Sequence, residues 1–384
     1  MKKRPNVRRK ATRTSARRKR VRYAVVGLGH IAQNAILPAF KHAARNSELA
    51  ALVSSDPTKL EKLGRKYGIR SLYSYEQFGD CLESGNIDAV YIALPNHLHH
   101  PYTIAAAEAG IHVLCEKPLA VTGEECEQMI EAAERSDVRL MTAYRLHFEP
   151  ANMRAVEIVR AGRLGEPRMF SSVFTMQVKA GDIRLDREKG GGTLYDIGIY
   201  CINAARYLFR AEPIEVEAMT ASGSEKRFAE VEEMTACLLR FPDERFATFQ
   251  VSFGAADVSS YRIVGTKGDL VVDAAYEYGE ERQHVLTVGG RTSRKRFPCS
   301  DQFAPELLHF SDCVLRERQP VPSGAEGLAD VRIIEALYRA AGTGRPEPLR
   351  HEAPTRRPTS RNVIERPPVH EPMLVHSEPP QSRD

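Results

Sequence analysis

The chain has 384 residues, of which 42% are hydrophobic and 27% are charged, proportions typical of a soluble globular protein. This length suffices for two domains, and no apolar run reaches the roughly 18 residues that a membrane-spanning helix needs. The net charge of +5 arises at the start of the chain, where 11 of the 55 Lys and Arg residues lie within residues 1–20. We therefore expect a basic disordered arm over residues 1–20, and neither a nucleic-acid nor a membrane partner.

The seven cysteines are scattered and show no C-x-x-C spacing. That pattern favours small core residues in a reducing compartment over a zinc site or a disulfide framework, so no metal is expected. A secretory signal is also not expected, because residues 21–29 are needed as the first strand and turn of the fold. These observations predict a cytoplasmic protein.

A glycine-rich turn follows the first predicted strand. Residues 21–26 form a short apolar run, Gly27-Leu28-Gly29-His30-Ile31-Ala32 comes next, and a helical pattern continues to residue 44. The first glycine permits a tight turn, the second lets the backbone approach a pyrophosphate, and the alanine keeps helix and strand close. Between a strand and a helix, G-x-G-x-x-A is typical of a dinucleotide site.

The end of the second strand discriminates between the two nicotinamide dinucleotides. This strand is predicted over residues 49–53, and Ser54, Ser55, Asp56 and Lys59 follow it. An NAD site places a carboxylate here for the ribose 2′-hydroxyl, whereas a hydroxyl and a nearby cation suit a 2′-phosphate. We expect NADP in preference to NAD, with Asp56 either opposing this choice or serving as a helix N-cap.

Strands and helices alternate as far as residue 145, which predicts a doubly wound parallel sheet over residues 21–145. One strand, residues 87–94, ends at Pro95-Asn96-His97-Leu98-His99-His100. The three histidines lack a carboxylate or thiol at ligand spacing, so we expect Asn96 and one histidine to line the nicotinamide side of a pocket.

A charged pair ends the next apolar run. Residues 111–114 are followed by Cys115-Glu116-Lys117-Pro118. Lys and Glu are poor strand residues, but ligands of open α/β sheets bind outside the carboxyl ends of the strands. The pair is therefore a candidate catalytic element, and a solvated turn is the alternative.

The second half of the chain has a different pattern. From residue 167 onward, strand-like stretches separated by turn signals predict a largely antiparallel sheet. We expect residues 146–346 to form an α+β substrate-binding domain whose open sheet face joins copies into a homodimer or homotetramer. Residues 347–384 are Pro-rich and polar, and they read as a disordered tail.

One glycine-rich stretch interrupts these strands. Gly190, Gly191 and Gly192 precede a predicted helix on which Asp196 and Tyr200 are separated by four residues. That spacing places a carboxylate and a phenol on one helix face. The two side chains are a candidate acid/base pair, and buried structural pairing is the alternative.

Four motifs in this order resemble the NAD(P)-dependent sugar oxidoreductases named for glucose-fructose oxidoreductase, inositol dehydrogenase and a rhizopine-catabolism protein (Gfo/Idh/MocA). They are G-x-G-x-x-A at Gly27, P-N-x-x-H at Pro95, E-K-P at Glu116 and G-G-x-x-x-D-x-G at Gly191. Most members carry His at the position of Tyr200, and a Tyr there resembles the glucose-fructose oxidoreductase branch.

The resemblance implies that Lys117 and Tyr200 flank a sugar and that Asp196 completes the catalytic site. It also implies that Arg184 and Tyr278 reach the cofactor. The full set of expected cofactor contacts is Gly27, Leu28, Gly29, His30, Ile31, Ser54, Ser55, Lys59, Tyr75, Leu94, Pro95, Asn96, His99, Glu116, Lys117, Arg145, Arg184 and Tyr278.

The resulting hypothesis is an NADP-dependent oxidoreductase that moves hydride from the C1 carbon of an aldose to the nicotinamide, giving a lactone, and then to a second sugar. Tyr200 would take the hydroxyl proton, helped by the cationic Lys117. The first alternative is a simple NADP-dependent aldose 1-dehydrogenase that acts on glucose or xylose. The second is a non-catalytic protein that binds NADP and responds to it.

Overall fold

The computed structural model describes residues 20–350, 356–370 and 372–381. The predicted basic arm lies almost wholly outside these ranges. Within them, no helix combines the length and apolar character needed to cross a bilayer. The described chain forms two sheets, each with its own helices.

The first sheet has six parallel strands in the spatial order β3-β2-β1-β4-β5-β6. The strands are β1 (Val21–Val26), β2 (Ser47–Val53), β3 (Ser71–Tyr73), β4 (Ala89–Ile92), β5 (His112–Glu116) and β6 (Leu140–Ala143). The strand order reverses between β1 and β4, and a crevice opens at such a switch point beyond the carboxyl ends of the strands. The predicted doubly wound sheet is confirmed.

Five helices of this half are described, and two of them begin at side-chain caps. They are α1 (Leu37–Ala43), which continues a wide π-type turn at Ala32–Ile36, α2 (Pro57–Tyr67), α3 (Phe78–Glu83), α4 (His99–Glu108) and α5 (Gly123–Arg135). Asp56 caps α2 by accepting hydrogen bonds from the backbone of Thr58 and Lys59. Thr122 and Glu125 form a reciprocal capping box at α5.

The second sheet has nine strands in the order β14-β13-β12-β11-β7-β10-β9-β8-β15. They are β7 (Pro167–Gln177), β8 (Glu215–Ala221), β9 (Met234–Phe241), β10 (Arg245–Ser252), β11 (Gly254–Gly265), β12 (Gly268–Asp273), β13 (Arg282–Val288), β14 (Arg291–Phe297) and β15 (Glu347–Pro348). Every pairing is antiparallel except that between β7 and β10. The predicted antiparallel sheet is confirmed.

One face of this sheet is covered and the other is open. Its covered face shares a hydrophobic core with α6 (Pro150–Arg160) and α7 (Ile199–Phe209). The open face exposes large apolar side chains, including Met169, Met219 and Phe246. The expected assembly through this face stays a prediction.

Three strands, β3, β14 and β15, were not predicted from the sequence, and the first two share a cause. β3 is three half-buried residues long, and six of the seven residues of β14 are exposed. Neither offers the alternation of buried and exposed residues by which a strand is recognised. β14 is a sheet edge rich in Arg and Lys, which discourages pairing with other chains.

The two late helices pack in different places. Helix α8 (Phe303–Leu315) shares a core with the first sheet, where Phe303, Leu307 and Phe310 lie in one cluster with Val25 and Leu114. Helix α9 (Gly324–Thr343) packs between α5 and α7. The expected single domain over residues 146–346 therefore differs from the structure, because α8 completes the core of the first half.

The described parts of the C-terminal tail also differ from the expected disorder. Residues 347–348 form β15, Arg357 pairs with Glu212 at 2.6 Å, and the Ile364 amide donates to the Phe148 carbonyl at 3.4 Å. Polar groups of this tail find partners on the folded body, so composition alone did not reveal its path.

A fully buried ion cluster joins α7 to α9. The guanidinium of Arg206, with no exposed surface, contacts Glu212 at 2.5 Å, Glu326 at 3.0 Å and Asp330 at 2.5 Å. Removal of one partner from such a cluster leaves uncompensated charge in a medium that solvates it poorly.

Substitution of Arg206 should therefore be strongly destabilising. We expect Arg206→Leu to lower the free energy of unfolding by about 3–5 kcal/mol, measured by equilibrium urea denaturation. The matched control is Arg65→Leu, because Arg65 pairs with Glu61 at the surface with both side chains mostly exposed, and its cost should stay below about 1 kcal/mol. Equal losses in the two variants would contradict the assignment.

Candidate active site

The Lys117-Pro118 segment leaves β5 at the carboxyl edge of the first sheet and is fixed from below by His99. The imidazole of His99 is completely buried, with Nδ1 2.7 Å from the Pro118 carbonyl oxygen and Nε2 2.9 Å from that of Leu94. Burial lowers the pKa of His99. The expected cofactor contact of His99 is therefore wrong, because both ring nitrogens face backbone carbonyls and no atom reaches the surface.

Lys117 crosses to the second half of the chain. Its Nζ donates to the Asp196 carbonyl oxygen at 2.7 Å and lies 3.0 Å from the Asp196 Oδ1. Asp196 stands in a wide π-type turn, Leu194–Gly198, that leads into α7. The structure thus brings together two candidate residues that are 79 positions apart.

Arg184 holds the other side of the same carboxylate. Its Nε lies 2.6 Å from Asp196 Oδ2, and its Nη1 lies 3.1 Å from Asp182 Oδ1. Gly191 permits this approach, because a Cβ there would be 2.4 Å from the Arg184 carbonyl oxygen. The expected cofactor contact of Arg184 stays a prediction, and the structure adds this ion pair.

The two cations determine the charge of Asp196. Burial alone would raise the pKa of this carboxyl, but Arg184 and Lys117 hold it well below its usual value. Burial likewise opposes charge on Lys117, but Asp196, together with smaller contributions from neighbours such as Glu116, more than offsets it, so the pKa of Lys117 is raised. Asp196 is therefore an anion and Lys117 a cation across the neutral pH range.

Tyr200 stands between two cations. The Lys117 Nζ lies 4.9 Å from the centre of its ring, and the Arg145 Nη2 donates to its hydroxyl at 3.2 Å. All three line one cavity, together with Tyr144 and Asn203. We expected Lys117 to act on the phenol, but in the structure Arg145 makes the hydrogen bond and Lys117 covers the ring.

Arg145, an expected cofactor contact, is held in place by several partners besides Tyr200. Its guanidinium also donates to the Gln302 side chain and to the Tyr276 carbonyl, and it lies 5.4 Å from the centre of the Tyr278 ring. The Tyr278 hydroxyl accepts from Asn34 of the first half at 3.2 Å. Arg145 thus sits where the two halves meet.

Two neighbouring carboxyl groups, the half-buried Glu116 and the fully buried Glu306, lie beneath Arg145. The Tyr91 hydroxyl is 2.8 Å from Glu116 Oε1 and 3.5 Å from Glu306 Oε2, and Glu306 Oε1 has no partner among the described residues. Burial and then the charge of Glu116 raise the pKa of Glu306 well above its usual value. Glu306 is thus the protonated member of the pair.

The nucleotide side is built by the first glycine turn. Gly27 has φ +93°, and a Cβ there would lie 2.4 Å from the Ala93 carbonyl oxygen, so the turn presses against the end of β4. A Cβ on Gly29 would meet no heavy atom within 4 Å. The turn therefore has one packed side and one open side, as a dinucleotide-binding turn requires. Leu28 belongs to the same turn, and His30 and Ile31 begin the helical segment that follows it.

The remaining expected cofactor residues lie along the same edge. Ser54 is buried and accepts from the Asp56 amide at 3.2 Å, whereas Ser55 is exposed and Lys59 is half-buried. Asn96, next to the half-buried Pro95, donates to the Gly190 carbonyl at 2.8 Å. Leu94 is buried, and the Tyr75 ring packs edge-on against the Tyr102 ring.

Sequence reasoning missed Glu306, Gln302 and Tyr91. The local signal for Glu306 is an acid within the apolar first turns of α8. Tyr91 resembles any other strand residue. Their contacts with Arg145 and Glu116 come from long-range packing, which no local pattern encodes.

The protonated Glu306 predicts a pH-dependent stability. The folded state keeps this proton, while the unfolded chain loses it above about pH 4.3, so Glu306 destabilises the native protein increasingly as the pH rises from that value. Glu306→Gln removes this loss. We expect the variant to gain stability over wild type between pH 5 and pH 8, measured by urea denaturation at each pH.

Glu61→Gln is the control for this titration, because Glu61 is an exposed side chain. Its stability should follow that of wild type at every pH. A difference between Glu306→Gln and wild type that does not change with pH would contradict the buried proton.

Two family descriptions match the chain. Residues 21–144 match the oxidoreductase family with an NAD-binding Rossmann fold, and residues 152–271 match the GFO/IDH/MocA C-terminal domain. These matches lie on the two sheets and on the edge where Lys117 leaves β5.

Several proteins of known activity are similar over most of their length. A D-xylose 1-dehydrogenase [NADP(+)] from Haloarcula marismortui is 36% identical over 84% of this chain and 91% of the relative. A D-xylose 1-dehydrogenase (NADP(+)) from Haloferax volcanii is 32% identical over 84% of this chain and 98% of the relative.

A solved structure is similar in sequence and in shape. The crystal structure of an aldose-aldose oxidoreductase from Caulobacter crescentus, complexed with glycerol, is 40% identical with a TM-score of 0.82, and the match covers 86% of this chain and 100% of that chain. The chain described here therefore belongs to the GFO/IDH/MocA family of oxidoreductases.

Proposed function

We propose that this protein is an NADP-dependent aldose 1-dehydrogenase that oxidises the C1 hydroxyl of an aldose to a lactone. The observation that carries the proposal is one cavity at the dinucleotide edge that is lined by Lys117, Arg145 and Tyr200. The NADP-dependent xylose dehydrogenases among the relatives support the choice of substrate class and cofactor.

NADP, when bound, supplies a nicotinamide ring that accepts hydride from the sugar carbon. On the protein, the open side of Gly29 and the following helix would hold the pyrophosphate. Ser54 at the end of β2 and the cation of Lys59 would face the 2′-phosphate. The Oδ1 of Asp56 accepts hydrogen bonds from the amides of Thr58 at 2.8 Å and Lys59 at 3.1 Å. Asp56 is therefore the helix N-cap that the sequence analysis gave as the alternative.

The proton of the sugar hydroxyl goes to Tyr200. A phenolate is the basic form of a tyrosine, and a neighbouring cation stabilises a phenolate. The Arg145 guanidinium donates to the Tyr200 hydroxyl at 3.2 Å, and the Lys117 ammonium lies 4.9 Å from the centre of the ring. Asp196 and Arg184 keep the ammonium in that position.

The central test is the oxidation of aldoses by wild type and by two tyrosine variants. We expect D-xylose or D-glucose with NADP to give a rise in absorbance at the reduced nicotinamide band. Tyr200→Phe should lower kcat by about 10²–10⁴-fold, because it removes the base, while NADP affinity is retained. Lys117→Ala should lower kcat by a similar factor.

Tyr195→Phe is the matched control. Tyr195 lies one turn earlier and donates to the Val121 carbonyl at 2.8 Å, away from the cavity. Its kcat should be close to that of wild type. Loss of cofactor binding in Lys117→Ala would instead make Lys117 a structural residue, and no oxidation of any aldose by wild type would end the proposal.

Transfer to a second sugar is a further candidate, favoured by the similarity to the aldose-aldose oxidoreductase. In this reaction the first aldose loses hydride and proton and becomes a lactone. The carbonyl carbon of a second sugar gains the hydride, its oxygen gains a proton, and an alditol forms. Two aldoses with a trace of NADP should then yield lactone and alditol in equal amounts without accumulation of NADPH.

We also propose that the open face of the second sheet joins copies of this chain into a homodimer or homotetramer in the cytoplasm. The exposed Met169, Met219 and Phe246 form the apolar part of that face. Sedimentation should then show two or four times the protomer mass, and Phe246→Glu should shift the distribution toward the monomer. A monomer in wild type would contradict the assembly.

A further inference from the structure

The C-terminal segment 372–381, here called the C-terminal strap, lies against the edge of the proposed cofactor site. It makes contacts at three places. They are the helical turn after the first glycine loop, the end of β2, and the end of β7 in the second half of the chain. The strap therefore joins the two halves across the crevice edge.

The first contact is a two-way hydrogen bond with Gln33. Its Nε2 donates to the Val375 carbonyl at 2.9 Å, and its Oε1 accepts from the Val375 amide at 2.8 Å. The same Nε2 donates to the Leu28 carbonyl at 2.9 Å. Because Gln33 is 1% exposed, this amide rigidly couples the strap to the turn that faces the pyrophosphate.

The second contact falls where the adenosine ribose is bound in this fold. The imidazole Nδ1 of His376 lies 2.9 Å from Asp56 Oδ2. Oδ1 of the same carboxylate already caps α2. Both oxygens of Asp56 are thus engaged within the protein, so the carboxylate is a poor acceptor for a free ribose 2′-hydroxyl.

The third contact fixes the far end of the strap. The Lys179 amide donates to the Pro380 carbonyl at 3.1 Å, and Val178 and Gln381 form an antiparallel bridge. Glu378 lies 3.5 Å from the Lys179 ammonium at the surface. A dinucleotide leaving the adenosine end would therefore meet a peptide that is fixed at both ends.

We propose that the C-terminal strap closes over the adenosine end of bound NADP and must detach before the cofactor leaves, and that His376 is a positioning residue for the 2′-phosphate. The proposal rests on the proposed NADP-dependent function and extends it. His376 pairs with the Asp56 carboxylate, which would otherwise repel a phosphate. The strap slows release of the cofactor without contacting the sugar cavity.

The test measures NADPH release directly and needs no sugar. Wild type, a chain ending at residue 371, and His376→Ala are loaded with NADPH, and dissociation into excess NADP is followed by nicotinamide fluorescence. We expect release to accelerate by about tenfold or more in the truncated chain, because several hydrogen bonds are lost. His376→Ala should weaken NADPH binding more than NADH binding.

His370→Ala is the matched control, because His370 is an exposed histidine just before the strap. Its release rate should equal that of wild type. An unchanged NADPH release rate in the truncated chain would contradict the proposed role of the strap. Equal losses of NADPH and NADH affinity in His376→Ala would contradict the proposed role of His376 at the 2′-phosphate.

A cross-linked variant tests the strap without deleting it. Paired residues of antiparallel strands have Cα atoms about 4.5–5.5 Å apart, within the range that a disulfide spans. The double variant Val178→Cys with Gln381→Cys should therefore release NADPH more slowly when oxidised than when reduced. Equal rates in the two states would contradict the need for detachment.

The outcomes separate the strap from the proposed function. If wild type binds NADPH and the strap variants change its release, yet no aldose is oxidised, then the proposed function is wrong and the proposed role of the strap is supported. If aldoses are oxidised and NADPH release is the same in all variants, only the proposed role of the strap is wrong. If wild type binds neither NADPH nor NADP, both proposals are overturned.

Discussion

The bridge from Lys117 to Asp196 is the interaction on which the candidate site depends. The ammonium comes from the carboxyl edge of the first sheet and the carboxylate from the turn before α7, so one ion pair joins the two halves of the molecule. Arg184 shares the carboxylate and prevents it from neutralising by proton uptake. Lys117 therefore stays charged although it is largely buried, and Tyr200 faces that charge.

Arg145 is the second source of positive charge in the cavity, and it is held by different partners from those of Lys117. Arg145 is fixed by carbonyl and amide oxygens, and its guanidinium also faces two carboxyl groups, Glu116 and the buried Glu306. One of these carrying a proton limits the negative charge beneath the guanidinium. Arg145 can then direct its attraction to the Tyr200 hydroxyl. Two cations, each held by its own set of partners, thus contact the phenol.

The sequence predicted those parts of the site that are encoded locally. Gly27 and Gly29 stand in a fixed order between a strand and a helix, and Lys117 follows an apolar run, so each could be placed at one sheet edge. Asp196 and Tyr200 share a face through their spacing. The role of His99 was misjudged, because its burial between Leu94 and Pro118 depends on how two strand ends approach each other.

Contacts set by distant packing could not be predicted in the same way. Glu306 is one acid in an apolar helix, and nothing in that helix shows that it faces Tyr91 and Glu116. The route of the tail is similar, because its proline-rich composition resembles that of segments without a core. Its partners, such as Glu212 and Gln33, lie on surfaces that exist only after the rest has folded.

The position of α8 has a consequence for how the molecule can be divided. Phe303, Leu307 and Phe310 cover a face of the first sheet that residues 21–145 alone would leave bare. The Tyr23 hydroxyl, 2.7 Å from Ser311 Oγ, would lose its partner as well. The nucleotide-binding half is thus not an independent domain, since an isolated fragment would expose an apolar surface to water and self-associate. Its integrity is shared with sequence more than 150 residues downstream.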